Sequence, residues 1–352
     1  MSTQLFQYKK PFTLENGEVL PQIHLAYTTL GKLSAGRDNV IWIFHALTAN
    51  SSPAEWWPGL VGEGKYFDPS RYFIICVNKP GSPYGSISPL SVDPERGAPY
   101  YHRFPIFSMR DMVHAYRLLK EELGIQRVKV GLGGSTGGMQ LLEWAIQEPD
   151  LFEHIIPIAT NAVFSPWGIA FNSAQRMAIE ADPTWLEEHP DAGQKGLAAA
   201  RSIALLSYRH YIGYGITQPR DKAFVSLGGS VHYAADNYQR YQGLKLVNRF
   251  NALCYYRLTQ GMDTHDVGRG RGGVETALKT IRARTLVMGI QSDVLYPIAE
   301  QEYLRDHIVG AGLLTIQSDF GHDGFLLEYD KIEKAIDQFI SSGPSYLKVV
   351  NP

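Results

Sequence analysis

Apolar residues along the chain fall into short runs: "NVIWIFHAL" at 39–47, "RYFIICVN" at 71–78, "RVKVGLGGS" at 127–135, "HIIPIAT" at 154–160, "ARTLVMGIQSD" at 283–293 and "LLTIQSDFGHDGF" at 313–325. Each run is almost continuously apolar where it begins and ends in turn residues, and helix-like segments alternate with the runs. That pattern predicts parallel strands covered on both faces rather than a half-exposed antiparallel sheet. Between the third and fourth runs, Met139, Leu142 and Ile146 recur at helical spacing, and Pro149 limits the helix.

From about Ser165 to Gly273 the strand rhythm stops, and segments such as "GLAAARSIALLSYRHYIGY" and "NYQRYQGLKLVNRFNALCYYRLTQGMD" read as helices rich in Tyr, Arg, Asn and Gln. The expected architecture is an α/β core made of residues 1–164 and 274–352, with a mostly parallel central sheet and helices on both faces. A helical insertion, 165–273, interrupts it as a lid over the carboxyl edge of the sheet, and a helix near 327–341 closes the chain. No internal repeat or low-complexity tract is present.

Composition narrows the class. The chain has 352 residues, 44% of them hydrophobic and 12% aromatic, enough for a large core, and length alone suggests about two domains. With 33 basic and 35 acidic residues the charges nearly cancel, and neither a basic block nor an acidic tail points to nucleic acid or an anionic membrane. A small-molecule partner is the expectation. Cys76 and Cys254 lie apart in apolar contexts, too few for a disulfide framework or a cysteine metal site, so a reducing compartment and no bound metal are expected. The N-terminus lacks a signal-peptide pattern and no run approaches the roughly 18 to 20 apolar residues of a membrane span. The expected location is the cytoplasm.

The glycine cluster in "VKVGLGGSTGGMQLLEWA", residues 128–145, admits three chemistries. A phosphate-binding P-loop needs a Gly-Lys-Ser/Thr ending, which is missing. A dinucleotide fingerprint starting at Gly131 would need its third glycine where Thr136 stands. Gly133, Ser135 and Gly137 match G-x-S-x-G after a strand and before a helix, the setting of a nucleophile elbow, where the glycines relieve crowding around a strained serine.

A serine nucleophile needs a base, and the base an orienting acid. In α/β-hydrolase chain order both follow the serine on late loops. Of eleven histidines only His322 lies in a loop after the last strand-like run, and Asp293 follows "RTLVMGIQS". The residues alone leave open that Asp293 merely caps the next helix and that Asp319 is the acid. The oxyanion needs two backbone N–H donors, each worth about 3 kcal/mol in the barrier. These are assigned to Thr136, at a helix N-terminus, and to Leu47 in "FHALTANSS". His45 in that loop reads as a satisfied structural histidine.

Together, "GGSTGGMQLLEWA", "FHALTANSS", "QSDVLYP", "GHDGF" and "MDTHDVGRGRGG" resemble the homoserine O-acetyltransferase family, an acyltransferase branch of the α/β hydrolases, over about residues 10–340. The resemblance implies a ping-pong transfer from acetyl-CoA, as co-substrate with no permanently bound cofactor, to the hydroxyl of L-homoserine, on the way to methionine. It implies Ser135 as nucleophile, His322 as base and Asp293 as its partner. Arg201, in "GLAAAR", would hold the amino-acid carboxylate and Asp323 the amino group, although alone they read as a solvated helix arginine and a turn aspartate. Tyr208 and Arg209, in "SYRH", fall at a family motif and are candidates for the tunnel wall, with packing an equal reading. Arg269 and Arg271 among the glycines of 268–273 read as a structural turn ahead of a coenzyme-phosphate contact. Family members are commonly dimers joined through lid helices, so a homodimer is expected.

Two places depart from the family pattern. Methionine commonly follows the nucleophile, whereas Thr136 does here, and the usual "LGxCYGSTGP"-like loop appears as "KPGSPYGSISP" at 79–89. Neighbouring activities therefore stand beside the main expectation: homoserine O-succinyltransferase, serine O-acyltransferase, and an esterase or thioesterase that lets water in. A non-enzymatic binding module would normally lack a member of the triad.

Overall fold

The structure, a computed structural model, describes residues 3–220, 223–225 and 231–341. Its centre is an eight-stranded sheet built from β1 (Gln4–Tyr8), β2 (Ile23–Leu30), β3 (Val40–Phe44), β4 (Phe73–Val77), β5 (Val128–Gly134), β6 (Phe152–Ile158), β7 (Arg284–Ile290) and β8 (Gly312–Ile316). The strand order is β1-β2-β4-β3-β5-β6-β7-β8. Strands β3 to β8 are parallel, in registers such as Ile41 to Ile74 and Ile43 to Leu132, while β2 runs antiparallel to β1 and β4.

The six apolar runs of the sequence are the six parallel strands. The two antiparallel strands did not stand out, because β1 leaves most of its side chains exposed and β2 interleaves His24, Tyr27 and two threonines among its apolar residues. Both lie on the flank of the sheet, where the rule of continuous burial relaxes.

Alternation along β3 builds the core on two faces. Trp42 and Phe44 pack with Tyr116 of α1 (Met109–Glu122) and Trp144 of α2 (Thr136–Gln147), and the Trp42 and Trp144 rings meet edge to face at 4.8 Å. Ile41 and Ile43 face the other way, into a cluster with Leu132, Ile158 and the Ile332, Ile336 and Phe339 side chains of a closing helix, Tyr329–Ser341. Each such side chain contributes about 1.5–3 kcal/mol by leaving water, so the sheet is fixed from both sides.

Between β6 and β7 run α3 (Pro166–Glu180), α4 (Gln194–Tyr208), α5 (Tyr211–Thr217), α6 (Ala234–Val247) and α7 (Ala252–Asp263). A short antiparallel hairpin, Ala223–Val225 with Val231–Tyr233, breaks the expected all-helical run. The helices are not a separately packed unit: Leu197, Ala200, Leu246 and Leu253 belong to the same apolar cluster as Trp42 and Phe44. The glycine-rich return at 268–273 is a structural turn, with Arg269 paired to Glu15 at 2.8 Å and Arg271 forked onto buried Glu143.

The turn from β5 into α2 passes against the end of β3. A side-chain carbon at Gly137 would stand 2.1 Å from the Phe44 carbonyl oxygen, and one at Gly133 would stand 2.6 Å from the Gly137 backbone. Gly137→Ala is therefore expected to lower unfolding free energy by at least about 3 kcal/mol or to prevent folding. Denaturant unfolding followed by circular dichroism checks this, and an unchanged midpoint would contradict it.

Candidate active site

Ser135 joins β5 to α2 with φ 56° and ψ −125°, a conformation that costs a residue with a side chain about 1–3 kcal/mol and recurs at functional turns. Its backbone is held on both sides: its N–H donates to Ile158 O at 2.9 Å, and its carbonyl accepts from Gly138 N at 2.9 Å. Its hydroxyl makes no capping bond to α2, although the residue occupies the cap position.

Asp293 and His322 come from the loops after β7 and β8. His322 Nδ1–H donates to Asp293 Oδ2 at 2.6 Å, and both residues are buried. Asp293 Oδ1 accepts from the N–H groups of Leu295 and Tyr296 at 2.8 and 2.9 Å, which fixes the carboxylate before the next helix, Ile298–His307, begins at Pro297. Asp293 therefore is not that helix's cap, and it is Asp293 rather than Asp319 that holds the imidazole. Ser292 ties the two loops together by donating to Ser318 O at 2.5 Å and accepting from Gly321 N at 3.1 Å. The Tyr296 ring stacks on the imidazole at 5.1 Å, and Tyr208 lies against it at 5.6 Å.

Burial opposes the imidazolium of His322, but the Asp293 charge, its hydrogen bond and the more distant Asp323 outweigh that and push the pKa above the ordinary histidine value. An imidazole whose Nδ1 is committed to a buried carboxylate presents Nε2 as a proton acceptor and survives protonation during reaction.

Ser135 and His322 line one cavity of about 520 Å³, with Leu47, Arg201, Tyr208 and Asp323 in the same wall. Of the residues singled out in the sequence for catalysis, oxyanion or substrate, two stand behind this wall: Asp293, bonded to His322, and Thr136, buried directly behind Ser135 as the first residue of α2. The N–H of a first helical residue has no partner inside the helix. Arg201 sits on α4 with its guanidinium over the Tyr208 ring at 5.5 Å, and among the described residues it has no carboxylate partner. Asp323 does have a partner: its carboxylate takes an ion pair from Arg209, whose other nitrogen donates to Tyr238 Oη at 3.0 Å.

The sequence offered Tyr208 and Arg209 together as candidates for the tunnel wall; Tyr208 lines this cavity, whereas Arg209 stands behind it, paired with Asp323. Sequence reasoning missed Tyr84, Lys245 and Arg249 at the cavity mouth, where Arg249 donates to Tyr84 Oη at 2.7 Å and to Thr48 O at 2.5 Å. Lys245 lies in the last turn of α6 and Arg249 just beyond its C-cap, Asn248, so no periodic pattern in the sequence marked the pair. His45 is the structural histidine expected, with Nδ1 bonded to Ala46 O at 2.7 Å and Nε2 accepting from Lys79 N at 3.1 Å. Among the described residues no group of three or more His, Cys, Asp or Glu is placed to hold a metal ion, and no helix is long and apolar enough to cross a membrane.

A parallel sheet in this strand order, with a serine on the strained turn after β5, an aspartate after β7 and a histidine after β8, defines an α/β hydrolase, and a profile of the alpha/beta hydrolase fold matches residues 39–329. The chain is 44% identical over 339 residues to the homoserine O-acetyltransferase of Cyclobacterium marinum, covering 96% of this chain and 95% of that one. Among solved structures it superposes on the homoserine O-acetyltransferase of Bacillus anthracis with a TM-score of 0.88 at 26% identity, covering 97% of each chain. An acetylester hydrolase from Corynebacterium glutamicum superposes with a TM-score of 0.83 at 25% identity, over 97% of this chain and 96% of that one. The chain belongs to the homoserine O-acetyltransferase family, which implies acetyl-CoA as co-substrate and small-molecule chemistry.

The raised pKa of His322 has a kinetic consequence with a definite sign. A base at His322 works as the neutral imidazole, so activity that depends on it is expected to fall as pH drops through a value above that of an ordinary histidine. Asp293→Asn removes the charge that raises it, and the acid limb of kcat moves to lower pH while kcat itself falls by about 10²–10⁴. A kcat profile from pH 5 to 9 reads both effects, and an unmoved limb would count against Asp293 as the partner.

Proposed function

We propose that this chain transfers an acetyl group from acetyl-CoA to the hydroxyl of L-homoserine through an acetyl-serine intermediate. The observation that carries the reading is the single cavity in which Ser135 and the Asp293-bound His322 share a wall with Arg201 and Asp323.

His322 Nε2 accepts the Ser135 hydroxyl proton as Oγ attacks the thioester carbonyl. The tetrahedral oxyanion lies against the N–H groups of Leu47 and Thr136, at the positive end of α2. Collapse breaks the carbon–sulfur bond, and His322 returns its proton to the departing thiolate. Homoserine then enters with its carboxylate on Arg201, a fork suited to that group, and its ammonium on Asp323. His322 takes the homoserine hydroxyl proton as that oxygen attacks the acetyl carbon; collapse breaks the bond from that carbon to Ser135 Oγ, and His322 returns the proton to Oγ, releasing O-acetylhomoserine. Tyr208 stacks beside both His322 and Arg201 and keeps the two in register.

Helices of 165–273 form the lid in this reading, excluding water so that the acyl group passes to the amino acid. Their outer side supports a homodimer. Leu206, Tyr211, Ile212 and Ile216, with Val294, line an open apolar depression of about 730 Å³, and Tyr211 is 90% exposed. Buried free thiols at Cys76 and Cys254 fit a reducing cytoplasm.

Thiol release from acetyl-CoA and succinyl-CoA, with and without L-homoserine or L-serine, tests the activity. Turnover is expected with acetyl-CoA and homoserine together, and Ser135→Ala is expected to abolish it, a loss on the order of 10⁶. Arg201→Ala should raise KM for homoserine about tenfold to a hundredfold, the worth of one charged hydrogen-bonding group. Equal thiol release without acceptor would make the protein a hydrolase, and a preference for succinyl-CoA or serine would keep the mechanism with a different pocket. Sedimentation checks the assembly: a dimer is expected at micromolar concentration and a monomer for Ile212→Arg with Ile216→Arg, whereas a monomeric parent protein would refute the interface.

A further inference from the structure

The two departures from the family pattern, Thr136 and the 79–89 loop, touch. Lys79, the first residue of that loop, is 1% exposed. Its Nζ donates to Thr136 Oγ1 at 2.6 Å and to the backbone carbonyl of His45 at 2.5 Å, and its own N–H donates to His45 Nε2 at 3.1 Å. Among the described residues no carboxylate pairs with it. Burying an amine without a counter-ion is costly, and burial pushes its pKa well below the usual lysine range, with Cys76 opposing weakly.

The two acceptors of this amine belong to the two segments that flank the nucleophile. Thr136 is the residue whose N–H forms one side of the oxyanion site, and the His45 carbonyl lies two residues before Leu47, whose N–H forms the other. Neither segment is otherwise bonded to the other by a side chain among the described residues, and oxyanion donors act only within a few tenths of an ångström of their working positions. We propose that Lys79 is a positioning residue for the transferase reaction, a buried strut that sets the separation of the Leu47 and Thr136 N–H groups by bonding to both of their segments. The inference rests on the reading of Ser135 as nucleophile and of these two N–H groups as the oxyanion site. It assigns Thr136 a second duty, through its hydroxyl, that a methionine at the same position has no group to perform.

The test is a double-mutant cycle on the full-length enzyme with Lys79→Met, Thr136→Val and the pair combined, beside Ser135→Ala. Acetyl-CoA thiol release with L-homoserine gives kcat and KM. Each single variant is expected to lower kcat by about tenfold to a hundredfold while KM for homoserine stays within about twofold, and the double variant should lose no more than the worse single one. Thr136→Val keeps the shape of threonine and loses only the hydroxyl, so it reads the strut even if Lys79→Met does not fold. A folded variant with kcat within twofold of the parent overturns the strut, as do losses that multiply in the double variant or appear in KM. Activity surviving in Ser135→Ala would instead overturn the nucleophile on which the strut depends.

Discussion

The positive φ of Ser135 is the constraint from which the site's geometry follows. An L-residue at φ 56° is held only when its neighbours leave no alternative, and here the alternatives are removed by close packing rather than by hydrogen bonds alone. The backbone at Gly137 lies against the Phe44 carbonyl, so the start of α2 and the end of β3 meet without any side chain between them. That contact brings the segment with Thr136 beside the segment with Leu47. The same helix is buried from Thr136 to Ile146, so the turn cannot relax by tilting α2 away from the sheet. Ser135 and the N–H groups proposed for the oxyanion are thus parts of one structural feature.

Charge is distributed around this turn in an uneven way. Asp293 is saturated by two backbone N–H groups and by His322, and Asp323 is matched by Arg209. Arg201 keeps the Tyr208 ring and, among the described residues, no anion. Among those residues Arg249 in the same wall bonds only Thr48 and Tyr84, so the wall carries more unpaired positive charge than negative and favours a ligand with a carboxylate. In the proposed reaction Arg209, which does not line this cavity, would set how much of the Asp323 charge is left for an amino group.

The parallel strands were legible because burial on both faces leaves a continuous apolar run, and Ser135, Asp293 and His322 were legible because each follows such a run. Three further features were not. The antiparallel strands carry mixed patterns at the sheet's flank, as in "IHLAYTTL" of β2. The Arg209–Asp323 pair joins residues more than a hundred positions apart, and neither motif encodes the other. Lys79 stood in the sequence only as the first residue of the departing 79–89 loop, because a sequence window has no way to express burial; its three contacts with His45 and Thr136 are what set it apart.

A serine, histidine and aspartate on this fold do not by themselves separate acyl transfer from hydrolysis, since the superposable Corynebacterium glutamicum protein is an acetylester hydrolase. The distinction has to lie in what meets the acyl-serine. Water needs no recognition, so a transferase must hold its acceptor close while denying water the same position. Leu197, Ala200 and Leu246 of the inserted helices share the apolar cluster of the sheet, and Arg201 lines the cavity from α4. In the proposed reaction an acceptor held through its carboxylate by Arg201 would occupy the approach to Ser135, so recognition of the amino acid and exclusion of water would rest on the same residue.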